Sequence, residues 1–168
     1  MSGTYFLSRL PKNIGLFLAL TGTRLRGSEL IQVGLANFFV RKANLHKLEQ
    51  EVIASVNDKT KDQDIFNIVQ KYSEKIEGEY RYSEQCNELF TGREYKEIYE
   101  KLKTDTKYKE FSGTCLKLIN EASPISLRII FEGLKNGKNM SLSDAFQMEF
   151  RLTQRQKKIS FLFIEKKF

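Results

Sequence analysis

The chain has 168 residues, 40% hydrophobic and 29% charged, a balance that excludes a disordered polypeptide and sets one domain, or part of a larger one, as the expectation. Its apolar runs fall well short of the ~20 residues a membrane-spanning helix needs, so no membrane span is expected. Lys and Arg number 28 against 21 Asp and Glu, and the net charge of +7 permits contact with phosphates on nucleic acid, coenzyme or lipid without selecting among them.

Gly3 precedes "TYFLSRL", which reads as a short helical turn closed by Pro11. Asn13 is placed to cap the next helix, in which Ile14, Phe17 and Leu18 share one face. Gly15 and Ala19 put small residues on that helix, where another element can approach closely, and Thr21-Gly22 supplies a glycine stop. The stretch "NIGLFLALTG" has the outline of a signal peptide. A poorly formed basic region ahead of it, and a second helix opening at Ser28 directly after it, make an interior helix the better reading. "LANFFV", residues 35–40, is apolar and aromatic and predicts a short buried strand.

From here the pattern is helical. Leu45, Leu48, Val52 and Val56 keep helical spacing, and so do Ile65, Ile68, Val69, Tyr72 and Ile76. Tyr95, Ile98, Tyr99 and Leu102 form a further stripe, and Phe111, Cys115, Leu118, Ile119 and Ala122 another. Pro124 opens a helix with a stripe of Leu127, Ile130, Phe131 and Leu134, which Gly137 ends. Ser141 with Asp144 resembles a capping box for the last helix. Polar loops are expected around "NDKTKDQD" and "EGEYRYSEQ". The sum is an α+β, predominantly helical protein with about six or seven helices and about one strand. A lone strand is not stable by itself, so sheet partners are expected from an upstream half or a companion chain.

Chemistry-bearing residues are sparse. Cys86 and Cys115 have no neighbouring Cys or His, which argues against a zinc site, and Cys115 falls on an apolar helical face as a buried thiol would. No disulfide framework is expected, which favours a reducing compartment. His46, the single histidine, points away from the Leu45–Leu48–Val52 face, so a nucleophile–histidine triad is not expected. Glu29, Asp144 and Glu149 lie near helix starts or on helix faces and read as caps and surface pairs. Arg9, Lys12, Arg24 and Arg26 cluster early, and Arg151, Arg155, Lys157, Lys158, Lys166 and Lys167 late. Such groups can meet coenzyme phosphates or an RNA backbone, or simply form a solvated face.

"FLALTGTRLRGSELIQVGLANFFV" resembles the middle of the crotonase (enoyl-CoA hydratase/isomerase) superfamily, where a Leu-Thr-Gly turn, a capped helix and a Gly-Leu-Ala strand follow in this order. "GTYFLSRLP" is similar to the segment after the active-site loop of the 3-hydroxyisobutyryl-CoA hydrolases. "SPISLRIIFEGLKNGKNMSLSDAFQMEFRL" is similar to their long C-terminal helical pair. The resemblance implies the C-terminal part of a crotonase-like ββα superhelix. Residues 1–40 would end the crotonase core, and residues 41–168 would form a C-terminal helical region with a divergent tail over 153–168. It also implies thioester hydrolysis in valine catabolism, in the mitochondrion, with acyl-CoA as substrate and neither a cofactor nor a metal.

In that family two backbone N–H groups form an oxyanion hole, while a Glu in a Pro-Glu segment and an Asp in a Phe-Pro-Asp segment do the acid–base or nucleophilic work. Neither segment occurs in these 168 residues, and the family's Asp would fall immediately before Met1. No catalytic residue is therefore assigned within the chain, and these residues alone are expected to be inactive. The best candidates for substrate contact are Gly3, Thr4 and Tyr5, where a helix start offers N–H groups and, with Phe6, aromatic walls. The expected partner is a chain supplying the N-terminal crotonase half. Relatives of this hydrolase also occur as structural components of the mitochondrial ribosomal small subunit, which implies rRNA and mitoribosomal proteins as the alternative partners. In the tail, "ISFLFI" is apolar enough to pair as a strand or insert into a partner.

Overall fold

The computed structural model describes the backbone of residues 3–165 and the side chains of residues 3–155. Among them are ten α-helices: α1 (Gly3–Leu7), α2 (Ile14–Thr21), α3 (Ser28–Gln32), α4 (Lys42–Ser55), α5 (Asp62–Tyr72), α6 (Ser83–Leu89), α7 (Tyr95–Thr104), α8 (Lys109–Glu121), α9 (Pro124–Gly137) and α10 (Leu142–Glu165). A 3-10 turn, Pro11–Asn13, joins α1 to α2. The chain forms two compact units, one running up to Arg24 and resuming at Tyr82, the other Leu25–Arg81.

The first unit is built around α2. Ile14, Gly15, Phe17, Leu18, Leu20 and Thr21 are all buried, so the helix is enclosed on nearly every side, as its almost uniformly apolar sequence requires. It packs against α1, α6, α8 and α9. Phe17 anchors an aromatic cluster, with ring centroids 5.4 Å from both Phe90 and Phe111 and 6.2 Å from Tyr82. Gly22, in the left-handed region at φ 66°, closes α2 by donating its N–H to the Leu18 carbonyl. The stripes of α7, α8 and α9 are buried as their spacing predicts: Ile98 and Leu102, Cys115 and Ile119, then Leu127, Phe131 and Leu134. Pro124 stands in the first turn of α9.

Two local expectations change. Asn13 does not cap α2. It sits in the left-handed region at φ 57°, and its amide donates to Thr91 Oγ1 at 2.8 Å instead. Ser141 makes half of the capping box: its Oγ accepts from the Asp144 N–H at 3.2 Å and donates to Asp144 Oδ2 at 2.7 Å.

The second unit holds α3, α4 and α5, with α4 and α5 paired. Residues 35–40 form no strand, contrary to the sequence reading: the segment bends at Leu35 and Asn37, and no strand occurs among the described residues. The reason lies in the partner that Phe39 meets. Phe39 accepts one backbone bond, from the Glu74 N–H at 2.9 Å, but its own N–H goes to the Ser73 hydroxyl at 3.3 Å. A side chain thus takes the place of the carbonyl that would continue a ladder. The α4 stripe is not buried either. Leu45 is 49% and Val56 60% exposed, because a pair of short helices covers only part of each. His46 is exposed on α4, beside Gln50 at 3.1 Å.

Glu51 ties α4 to α5, accepting from the Tyr72 hydroxyl at 2.6 Å and from Lys71 Nζ at 2.9 Å. These bonds, Tyr72 first, hold its carboxyl below the ordinary value of 4.5. Stability from this group is therefore present above 4.5 and lost as pH falls through the lower folded value. Glu51→Gln is expected to remove that part of the acid-side loss. Circular dichroism melts at stepped pH below 5 would show a shallower decline than in the parent chain.

The apolar run "ISFLFI", residues 159–164, continues α10 instead of forming a strand. Its side chains, like those of Lys157, Lys158, Lys166 and Lys167, lie outside the described residues. No helix among the described residues is long and apolar enough to cross a membrane.

Candidate functional site

The start of α1 is held from two sides. Gly133 and Gly137 lie one turn apart on α9 and are both buried. A methyl group on Gly137 would come within 2.5 Å of Thr4 Cγ2 and 3.0 Å of the Thr4 carbonyl. Only glycine lets α1 lie this close. From the other side, α10 delivers Glu149, whose Oε1 accepts the Thr4 N–H at 2.8 Å. A carboxylate on the first turn of a helix is favoured by the partial positive charge there.

Gly3, Thr4 and Tyr5 are thus brought together, each half-buried, with Phe6 beside them and 45% exposed. Tyr5 is stacked under the Arg9 guanidinium, 3.7 Å from its ring centroid. The same guanidinium closes this corner by donating to the carbonyls of Tyr5 at 2.6 Å, Gly137 at 3.0 Å and Met140 at 2.7 Å. The result is a short helix held from two sides, with an aromatic side chain at its start and with the Thr4 N–H, which the sequence reading expected a ligand to meet, taken by Glu149.

The carboxylates read as caps act as such. Glu29 accepts from the Arg26 N–H at 3.0 Å and pairs with Arg81 at 3.2 Å, and Asp144 pairs with Ser141. Glu149 does more than sequence spacing showed, since it connects residues 145 apart. Glu149→Ala is expected to lower stability by about 1–3 kcal/mol, the cost of orphaning a partly buried donor. Glu149→Gln, which keeps an acceptor, should recover part of this in urea unfolding.

Both thiols are inert. Burial pushes Cys86 and Cys115 up to about 12, so neither supplies a thiolate at neutral pH. Among the described residues no three His, Cys, Asp or Glu side chains gather as a metal site.

The family model for enoyl-CoA hydratase/isomerase matches residues 1–160. The mitochondrial 3-hydroxyisobutyryl-CoA hydrolase of Xenopus laevis is 38% identical over 159 residues, 92% of this chain and 41% of the relative. That of Gallus gallus is 37% identical over 161 residues, with the same coverage. The human one is 34% identical over 161 residues. Among solved structures, a carnitinyl-CoA dehydratase from Mycobacterium thermoresistibile superposes with a TM-score of 0.75 at 27% identity, covering 89% of this chain and 42% of its own. An enoyl-CoA hydratase from Rhodobacter sphaeroides gives 0.68 at 25% identity, covering 92% and 42%. The chain spans about two fifths of the length of the curated relatives it matches. It belongs to the enoyl-CoA hydratase/isomerase family and corresponds to a C-terminal portion of the 3-hydroxyisobutyryl-CoA hydrolases.

Proposed function

We propose that these residues form the C-terminal helical part of an acyl-CoA thioester hydrolase of the 3-hydroxyisobutyryl type, working in valine catabolism in the mitochondrion. One observation carries this reading: 38% identity is sustained across 92% of the chain with a hydrolase of that name. The catalytic Glu and Asp segments of the family are not in these residues. They would come from an N-terminal crotonase half, on the same polypeptide or on a companion chain.

In this reading the chain's own residues bind and position. Gly3, Thr4 and Tyr5 face the acyl thioester, Glu149 and Gly137 fix the helix that presents them, and the substrate is acyl-CoA. Exposed apolar side chains support a surface that is covered in the working protein. Leu142, Phe146 and Phe150 recur at i, i+4 and i+8 on α10 and are 45%, 43% and 54% exposed. Bringing such groups out of water contributes roughly 25 cal/mol per Å².

The test is reconstitution. The 168-residue chain is mixed with the N-terminal part of the Xenopus hydrolase, and release of the free CoA thiol is followed with 3-hydroxyisobutyryl-CoA. Neither part alone should release CoA, and the mixture should. Hydrolysis by the 168 residues alone would overturn the reading, as would a mixture that neither associates nor reacts.

A further inference from the structure

We propose that Arg9 is a positioning residue for thioester hydrolysis: it fixes the place and tilt of Tyr5, and through Tyr5 the aromatic wall offered to the acyl chain. This role rests on the hydrolase reading. With the Thr4 N–H taken by Glu149, the half-buried Tyr5 side chain becomes the group of this segment whose placement matters most to a substrate. The direction of α1 is not inherited from α2. Lys12 and Asn13, between the two helices, stand in the left-handed region at φ 53° and 57°, so one helix does not run on into the other. What α1 touches along its flank therefore places it, and α9 and α10 are among its neighbours.

Arg9 grips Tyr5 twice. Its guanidinium lies 3.7 Å from the centroid of the Tyr5 ring, and its Nη1 donates to the Tyr5 carbonyl at 2.6 Å. The same group reaches across to the far wall. Nη1 also donates to the carbonyl of Gly137, the last residue of α9, at 3.0 Å, and Nη2 donates to that of Met140, in the turn before α10, at 2.7 Å. The last carbonyls of a helix lack partners within it, and a cation is favoured there. One planar side chain thus ties Tyr5 to the end of α9, beside the glycine that seats Thr4. A guanidinium suits this task because it stacks flat and presents its N–H groups as a rigid fork, whereas a lysine ammonium is a point donor on a flexible stem.

Exposure separates this role from a merely structural one. Arg9 is exposed, and hydrogen bonds that water can replace contribute little to net stability. Its loss therefore loosens Tyr5 more than it unfolds the first unit. Rate is far more sensitive to placement than stability is: a shift of about 1 Å in a positioning group can cost roughly a hundredfold. Such a change falls on kcat, because ground-state binding of the rest of the substrate is left in place.

The test uses the reconstituted mixture, with the N-terminal part of the Xenopus hydrolase in excess and Arg9→Gln, Arg9→Lys and Arg128→Gln chains beside the parent. Arg128 is an exposed arginine of α9 next to Tyr95 and Tyr99, so its replacement removes the same charge elsewhere. CoA release is followed over a range of 3-hydroxyisobutyryl-CoA concentrations, and each chain is also unfolded in urea. Arg9→Gln should lower kcat at least tenfold and change KM less than threefold, with a urea midpoint close to that of Arg128→Gln. Arg128→Gln should keep kcat within twofold of the parent. Arg9→Lys, which keeps the charge without the fork, should retain less than a third of the parent kcat. Parent-like kcat in Arg9→Gln, or full activity in Arg9→Lys, would overturn the positioning role and leave the hydrolase reading standing. A loss of kcat matched by an equal loss of folded protein would overturn it in the same way. A parent mixture that releases no CoA would overturn the hydrolase reading itself, and the role of Arg9 with it.

Discussion

Gly15→Ala is expected to destabilise the first unit by about 3 kcal/mol, the upper end of the usual overpacking cost, and to loosen α1. Elsewhere in a helix the same change helps, by up to about 1 kcal/mol, because alanine has the higher helix propensity and a less flexible unfolded chain. At Gly15 the new methyl group would fall on the Leu7 carbonyl at the end of α1. That neighbour is backbone, and no rotamer change can move it aside. Gly113 in α8 is the internal control: it is exposed, and a methyl there meets nothing within 4 Å. Gly113→Ala should therefore raise the urea midpoint while Gly15→Ala lowers it. Two midpoints moving in the same direction would mean that α1 does not rest on α2 as described.

Phe17→Ala should cost about 3–5 kcal/mol, as for other buried aromatic truncations. The side chain is 3% exposed, and its loss would leave Phe90, Phe111 and Tyr82 facing an empty space. Set against a total stability of roughly 5–15 kcal/mol for a domain, this would leave a substantial part of the population unfolded at physiological temperature. Phe17→Leu refills most of the volume and should cost clearly less. A comparison of the two by thermal melting separates loss of packing from loss of ring geometry.

Packing of this kind was largely visible in the sequence, because it follows local periodicity. The stripes of α7, α8 and α9, the glycine stop at Gly22, the proline start at Pro124 and the close approach at Gly15 depend on residues a turn or two apart. What failed depended on distant partners. Residues 35–40 have strand composition, but strand formation requires a ladder, and the Ser73 hydroxyl interrupts the one on offer. The α4 stripe has helical spacing, but spacing does not say whether anything covers it, and Leu45 and Val56 stay exposed. Asn13 has the composition of a cap but is drawn away by Thr91.

The candidate site divides in the same way. The "GTYFLSRLP" motif pointed to Gly3, Thr4 and Tyr5, while nothing local could reveal that Glu149 would hold the Thr4 N–H. Proximity in sequence grouped Arg9 and Lys12 with Arg24 and Arg26. In the fold they line a hollow with Arg93, Lys135 and Lys138, and neither Arg24 nor Arg26 takes part. Charge counting finds that a protein is basic, and tertiary contacts decide where the charge is concentrated.

The most direct measurement is purification of the protein from its native source, with identification of what accompanies it. The expected result is a stoichiometric N-terminal crotonase half, on the same chain or a companion, carrying the Glu and Asp segments and releasing CoA from 3-hydroxyisobutyryl-CoA. Recovery of the 168 residues within the ribosomal small subunit, with no thioesterase activity, would contradict it.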